Sequence, residues 1–297
     1  MPSRRSFLAS MTATAAATLP AGSAAVSALA LQTPSSTPRT PLKAGAVTYN
    51  IAKDWDLATI LKNLPAAGIE AVELRTTHAH GVELSLSPDA RREVRRKFQG
   101  SPLRLASLGT TCEYHAADPA VLARQVEETK RWIQLAVDVG AASVKVRPNG
   151  FRSDVPHDKT LEQIGHALAD CSKTAADQGI HIQLEVHGPE TERVPNIHRI
   201  LQHAGEPPAL FVCWNSNQTD LEDGGLEANF KLVQHRIGQV HMRDLYVEEY
   251  PWRQLVGLLQ GINFGGYCYA ELGESSCDGV RVLQYFRGML RSLSMQA

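Results

Sequence analysis

Carboxylate, imidazole, amide and cationic side chains recur in this 297-residue sequence at the ends of short apolar runs. Glu73 and Arg75 close the run 71–75, and Glu113 follows the run 103–108. Lys145 and Arg147 end 143–147, Glu185 and His187 end 180–186, and Asn215 and Asn217 follow 210–214. His241 closes 238–241 and Glu271 closes 267–271. Polar groups set into apolar runs are costly to bury unless they are paired or ligated. The two-residue period of a strand puts Glu185 with His187 on one side, and Lys145 with Arg147 on one side.

The eight runs (44–49, 71–75, 103–108, 143–147, 180–186, 210–214, 238–241 and 267–271) read as β-strands. Between them lie segments of helical period, clearest at 118–139 and 158–177. Asp118 with Pro119, and Asp158 with Thr160, mark helix starts. Gly68, Gly140 and Gly179 stand where a left-handed helix stop is wanted before the next strand. Eight βα units predict an α/β fold, a single-domain (β/α)8 TIM barrel over residues 43–297. A doubly wound sheet is the rival, but no GxGxxG follows the first strand. In a barrel, side chains at the C-terminal strand ends meet at one mouth, which would gather these residues.

The composition is that of a folded protein, with 43% hydrophobic and 21% charged residues. A net charge of −1 supplies no basic face for nucleic acid. Five scattered cysteines without a CxxC exclude a disulfide scaffold, with one disulfide left open and no pair chosen by spacing; Cys112, Cys213 and Cys268 read as small core residues. Residues 1–30 carry Arg4 and Arg5, then Phe7 and Leu8, then an Ala/Thr-rich run ending Ala28-Leu29-Ala30. That order is expected of a secretory signal peptide, and the paired arginines resemble a twin-arginine signal. Residues 31–42, rich in Pro, Ser and Thr, read as a linker. The implied localisation is periplasmic or secreted, with no membrane association beyond export.

The motifs LEVHG (184–188), CWNSNQTDL (213–221), VHMRDL (240–245) and YAELGES (269–275) fall on strands five to eight. Together they resemble the sugar phosphate isomerase/epimerase group of xylose isomerase-like TIM barrels, over roughly residues 44–295. The resemblance implies a divalent metal, most often manganese, with Mg²⁺ or Co²⁺ as alternatives, held by Glu185, Asn215, His241 and Glu271, a donor set that suits such an ion better than a structural zinc. Asn215 stands where the family has Asp and brings no charge, so metal affinity is expected to be lower; Gln218 stands where epimerases often have His, a departure from the standard epimerase mechanism. A homo-oligomer is one assembly the resemblance leaves open.

The expected reaction is proton abstraction beside a carbonyl through a metal-stabilised enediolate, in a sugar isomerase or epimerase. Glu185, Glu271, His187 and Lys145 are the expected catalytic residues. Arg147, Glu113, His115, Trp214 and Asn217 are the expected contacts to a sugar or glycoside substrate, with Trp214 equally readable as a core residue. Lys145 and Arg147 have a plainer reading, as ion-pair partners of Glu185 and Glu113 in the barrel mouth. Arg243 and Asp244 are expected to brace His241. Two other functions are carried forward: a lyase or hydrolase on 3-keto-glycosides using the same enolate chemistry, and a non-enzymatic sugar-binding module.

Overall fold

The computed structural model describes residues 41–296. The expected signal peptide, Arg4 and Arg5 included, and the linker up to residue 40 lie outside the described residues. Leu42, assigned above to the linker, packs against the core, and its N–H donates to Ser294 Oγ at 3.3 Å.

Strand and helix alternate from β1 (Lys43–Val47) and α1 (Leu57–Ala66) through β2 (Ala71–Arg75), α2 (Pro88–Gln99), β3 (Arg104–Glu113) and α3 (Pro119–Val139). There follow β4 (Ser143–Arg147), α4 (His157–Asp177), β5 (His181–Glu185), α5 (Val194–His203), β6 (Leu210–Asn215) and α6 (Leu226–Val233). The chain closes with β7 (Ile237–Met242), α7 (Trp252–Gly261), β8 (Tyr267–Ala270) and α8 (Gly279–Gln296). All the strands pair in parallel, and β8 returns to β1, so the sheet is a closed eight-stranded barrel. No described helix is long and apolar enough to cross a membrane.

Helix boundaries follow local chemistry. Asp118 accepts from Ala120 N–H ahead of Pro119, and Gly140 stops α3 at φ +83°. Gly68 and Gly179 take the left-handed conformation expected of them. α4 begins at His157, one residue before the expected Asp158. Thr160 does not cap it; its hydroxyl accepts from Arg152 N–H at 3.2 Å, pinning the preceding loop. β3 runs five residues past its apolar stretch, because the β-formers Thr110, Thr111 and Cys112 carry the strand on through a register shift.

Parity along the strands decides which side chains reach the barrel interior. Val72, Leu74, Val144, Val146, Ile182, Leu184, Val212, Val240 and Met242 belong to the main core between strands and helices. Each such side chain contributes about 1.5–3 kcal/mol on burial. The alternate positions, Glu73, Lys145, Gln183, Glu185, Gln239 and His241, are buried and polar. The interior is therefore a polar column in an apolar sleeve. Trp214 lies on the sleeve side, and Asn215 on the inner side.

The turn that leaves β5 is tightly constrained. Gly188 has φ +92°, and a Cβ there would sit 2.5 Å from Asn149 Cα. Gly188→Ala is expected to cost at least about 2 kcal/mol from strain and overlap. Gly179→Ala, at φ +70° with open space around it, is expected to cost about 1 kcal/mol. Denaturant unfolding of the two variants measures the difference.

Candidate active site

His241, on β7, is the centre of the polar column. Its Nδ1 lies 3.2 Å from Glu185 Oε1 and 3.4 Å from Glu271 Oε2. One donor atom from each of the three residues lies within 4.8 Å of the other two. Nδ1 is buried and has no hydrogen-bond partner. Donors sharing one ion at bond lengths of about 2.1 Å stand roughly 3 Å apart, so this set fits a divalent cation. Asn215, paired in register with His241, lines the same mouth and can add an amide oxygen.

The far edge of the ring meets a second polar layer. His241 Nε2 is 3.5 Å from Glu73 Oε2 and 3.3 Å from Gln239 Nε2, and Gln239 donates to Glu73 Oε2 at 2.7 Å. With a cation on Nδ1, the ring's remaining hydrogen sits on Nε2 and faces Glu73, an arrangement that fixes the tautomer and the ring plane. Arg243 and Asp244 do not brace His241 as expected. Arg243 turns to the mouth and Asp244 Oδ2 accepts from Gly273 N–H at 3.1 Å. Gln239, unassigned from sequence, sits two residues before His241 on the same strand side; that spacing is the signal that could have found it.

The charges are strongly coupled. Lys145 Nζ donates to Glu185 Oε2 at 2.6 Å with both side chains almost wholly buried. Burial opposes the charged form of Lys145, yet Glu185 and Glu73 hold its pKa above the usual value. Burial likewise opposes ionised Glu185, but Lys145 and His241 hold it well below the carboxylate range. Glu73 is lowered too, against its own burial, by His241 and then Lys145. The His241 ring is held well above its usual value despite burial, with Cys213, Glu271 and Glu73 around it.

Above the triad opens a cavity of about 400 Å³, whose wall includes Tyr49, Asn50, Arg75, Arg147, His187, Arg243 and Leu272. His187 and Glu185 do face one side, and His187 Nδ1 meets Asn149 Oδ1 at 2.8 Å. A larger cavity, about 640 Å³, lies on the outer face between α3 and α4; it carries no comparable cluster, and size alone does not mark the site.

Four expected substrate contacts are placed elsewhere. Glu113 does not line the cavity: its carboxylate accepts from Arg147 and, at 2.7 Å, from Asn149. Arg147 lines the wall with that partner in place. The His115 ring meets Pro148 O at 3.1 Å, outside the cavity wall. Asn217 donates to Val186 O at 2.7 Å, so its amide ties the β5 and β6 loops together. Trp214 packs on Phe230 of α6 and donates to Tyr250 Oη at 3.2 Å, because its odd place in the strand register turns it away from the mouth. All five cysteines are free; Cys112, Cys171, Cys213 and Cys268 are buried and Cys277 is exposed.

The model of the xylose isomerase-like TIM barrel family matches residues 61–290. The chain belongs to that family. No curated protein sequence matches it. Similar solved structures include the 3-keto-D-glucoside 4-epimerase of E. coli (14% identity, TM-score 0.69, 84% of this chain and 99% of that one). An L-ribulose 3-epimerase follows at 16% identity and TM-score 0.71, over 86% and 96%. A zinc-bound IOLI protein gives 16% and 0.72, over 86% and 99%. At these identities the likeness establishes the fold.

Two predictions arise here. Glu73→Gln removes the acceptor behind His241, and about a 10–100-fold loss of divalent-cation affinity is expected by calorimetric titration. The second concerns Asp220, buried behind Trp214, which accepts from Tyr250 O–H at 2.6 Å and from Asn217 N–H at 3.1 Å. Burial pushes its pKa up to about 8. A raised pKa means the folded state holds the proton more tightly, so the stability it contributes is full below about pH 4 and lost as pH rises through about 8. Asp220→Asn should therefore gain stability relative to the wild type between pH 4 and 9, by a few kcal/mol in order of magnitude, in denaturant unfolding at each pH.

Proposed function

We propose that this protein is a divalent-metal-dependent sugar isomerase or epimerase, with Mn²⁺ at the Glu185–His241–Glu271 triad and Asn215 as a fourth donor. The observation that carries this reading is the orphaned His241 Nδ1 facing two carboxylates at the foot of an open cavity. Two carboxylates, an imidazole and an amide oxygen favour Mn²⁺ over a closed zinc site. When bound, such a cation supplies Lewis acidity that acidifies a C–H beside a substrate carbonyl.

The chain's own groups then divide the work. Glu271, about 23% exposed, stands at the cavity floor where a carboxylate can take the C–H proton and return it. Glu185, buried and paired with Lys145, stays ionised and holds its place in the donor set. The Lys145 ammonium offers positive charge beside the developing enediolate oxygen. His187, held at Nδ1 by Asn149, presents its other ring nitrogen to a substrate hydroxyl. The Arg147 guanidinium, backed by Glu113, forms a cationic wall for further hydroxyls.

A second reading is a lyase or hydrolase on 3-keto-glycosides. Asn215 and Gln218 replace the residues expected of epimerases, and Gln218 is exposed on the turn after β6. A similar structure is itself a 3-keto-glucoside epimerase. The N-terminal Arg4-Arg5 signature supports export, which favours unphosphorylated glycosides over intracellular sugar phosphates.

Incubation of Mn²⁺-loaded protein with ketoses in D₂O is expected to place deuterium in the recovered sugar, and Glu271→Gln to slow this at least about 100-fold with metal retained. Release of an aglycone from a 3-keto-glycoside without exchange into recovered sugar would decide for the second reading. Glu185→Gln alone strands a buried Lys145, so the companion variant is Glu185→Gln with Lys145→Met. Full turnover in Glu271→Gln contradicts the assignment.

A further inference from the structure

Two of the four cationic side chains at the mouth have no ion-pair partner among the described residues. Of its four cationic side chains, Lys145 is paired with Glu185 and Arg147 with Glu113. Arg75 and Arg243 lie within ion-pair distance of no carboxylate among the described residues. Both are placed by strand parity: Arg75 is two residues beyond Glu73, and Arg243 two beyond His241, so each rises from the polar column to the rim.

Their local contacts are neutral. Arg75 Nη1 donates to Thr76 O at 3.2 Å, and its guanidinium stands 5.3 Å from the Tyr49 ring centroid. Arg243 stands 5.7 Å from the Tyr250 ring centroid, and its Nε is buried with no hydrogen-bond partner. Asp220 lies on the other side of Tyr250, accepts from its hydroxyl at 2.6 Å, and makes no ion pair with Arg243. Asp244 gives its Oδ2 to Gly273 N–H. Glu185 and Glu271 are turned to His241. A partly desolvated guanidinium without an acid is costly, and its planar fork matches a carboxylate or phosphate in two parallel hydrogen bonds.

We propose that Arg75 and Arg243 are specificity residues that grip an anionic group on the substrate, so that the sugar handled at this mouth bears a carboxylate, the anion that export would favour, or a phosphate. The substrate part of this inference rests on the sugar reading above. The anion pair itself does not.

Calorimetric titration of the Mn²⁺-loaded protein with D-fructose, D-fructuronate and D-fructose 6-phosphate compares three ketoses that differ only at carbon 6, and inorganic phosphate is the fourth probe. We expect one anionic ketose to bind at least about tenfold more tightly than fructose, and this margin to shrink about tenfold in Arg75→Gln and in Arg243→Gln. Lysine at either position should restore part of the margin, keeping charge without the fork. The uronate and phosphate arms tell the two anions apart. Equal binding of all three ketoses, or a margin that survives both substitutions, overturns the inference while leaving the sugar reading intact. Phosphate binding that is lost in the arginine variants, with no ketose bound at all, upholds the anion pair and overturns the sugar reading. Phosphate binding that is absent, or indifferent to both substitutions, with no ketose bound, overturns both.

Discussion

Three carboxylates, Glu73, Glu185 and Glu271, surround one buried imidazole, and the column they form cannot be dry and uncompensated at once. Lys145 answers part of that charge, and the doubly faced His241 ring answers more. Like charges in a low-dielectric interior repel strongly unless cations sit between them. The gap bounded by His241 Nδ1, Glu185 and Glu271 is where a divalent cation does so at least cost. The remaining features of the mouth extend from that requirement: Gln239 and Glu73 hold the ring from below, and Asn149 ties His187 and Glu113 into one network.

The barrel converts a two-residue strand period into this column. Each inner position of β2, β4, β5, β7 and β8 points to the same axis, and register pairs such as Asn215 with His241 bring their ends level. The apolar alternates pack against the helices, and the polar column opens into the cavity at the mouth. Stability and chemistry are thus carried by alternate residues of the same strands, and a one-residue slip in any of them would exchange the two.

Much of this was legible in the sequence, and for a physical reason. Apolar runs with punctuating glycines fix the eight βα units, and polar residues inside apolar strands announce a site because they are otherwise too costly to keep. Glu185, His187, His241 and Glu271 stand out on that ground, and the barrel brings them to one mouth. For Trp214, readable as a sugar-stacking ring or as a core residue, strand parity decides: an aromatic beside Asn215 faces the opposite way and packs on Phe230. Glu113 was placed in a loop, whereas β3 continues through its threonines and delivers it to Arg147. Asn149 gave no signal, since its role depends on a loop path and a left-handed backbone at φ +62°. Arg75 and Arg243 were visible as residues, but their lack of acid partners is a property of three-dimensional neighbours alone.

Anomalous diffraction from crystals grown with Mn²⁺, recorded at the manganese edge, tests the central claim most directly. A single strong peak within about 2.1–2.4 Å of His241 Nδ1 and of carboxylate oxygens from both Glu185 and Glu271 is the predicted result. A peak elsewhere, or none at this position with metal in excess, would contradict it.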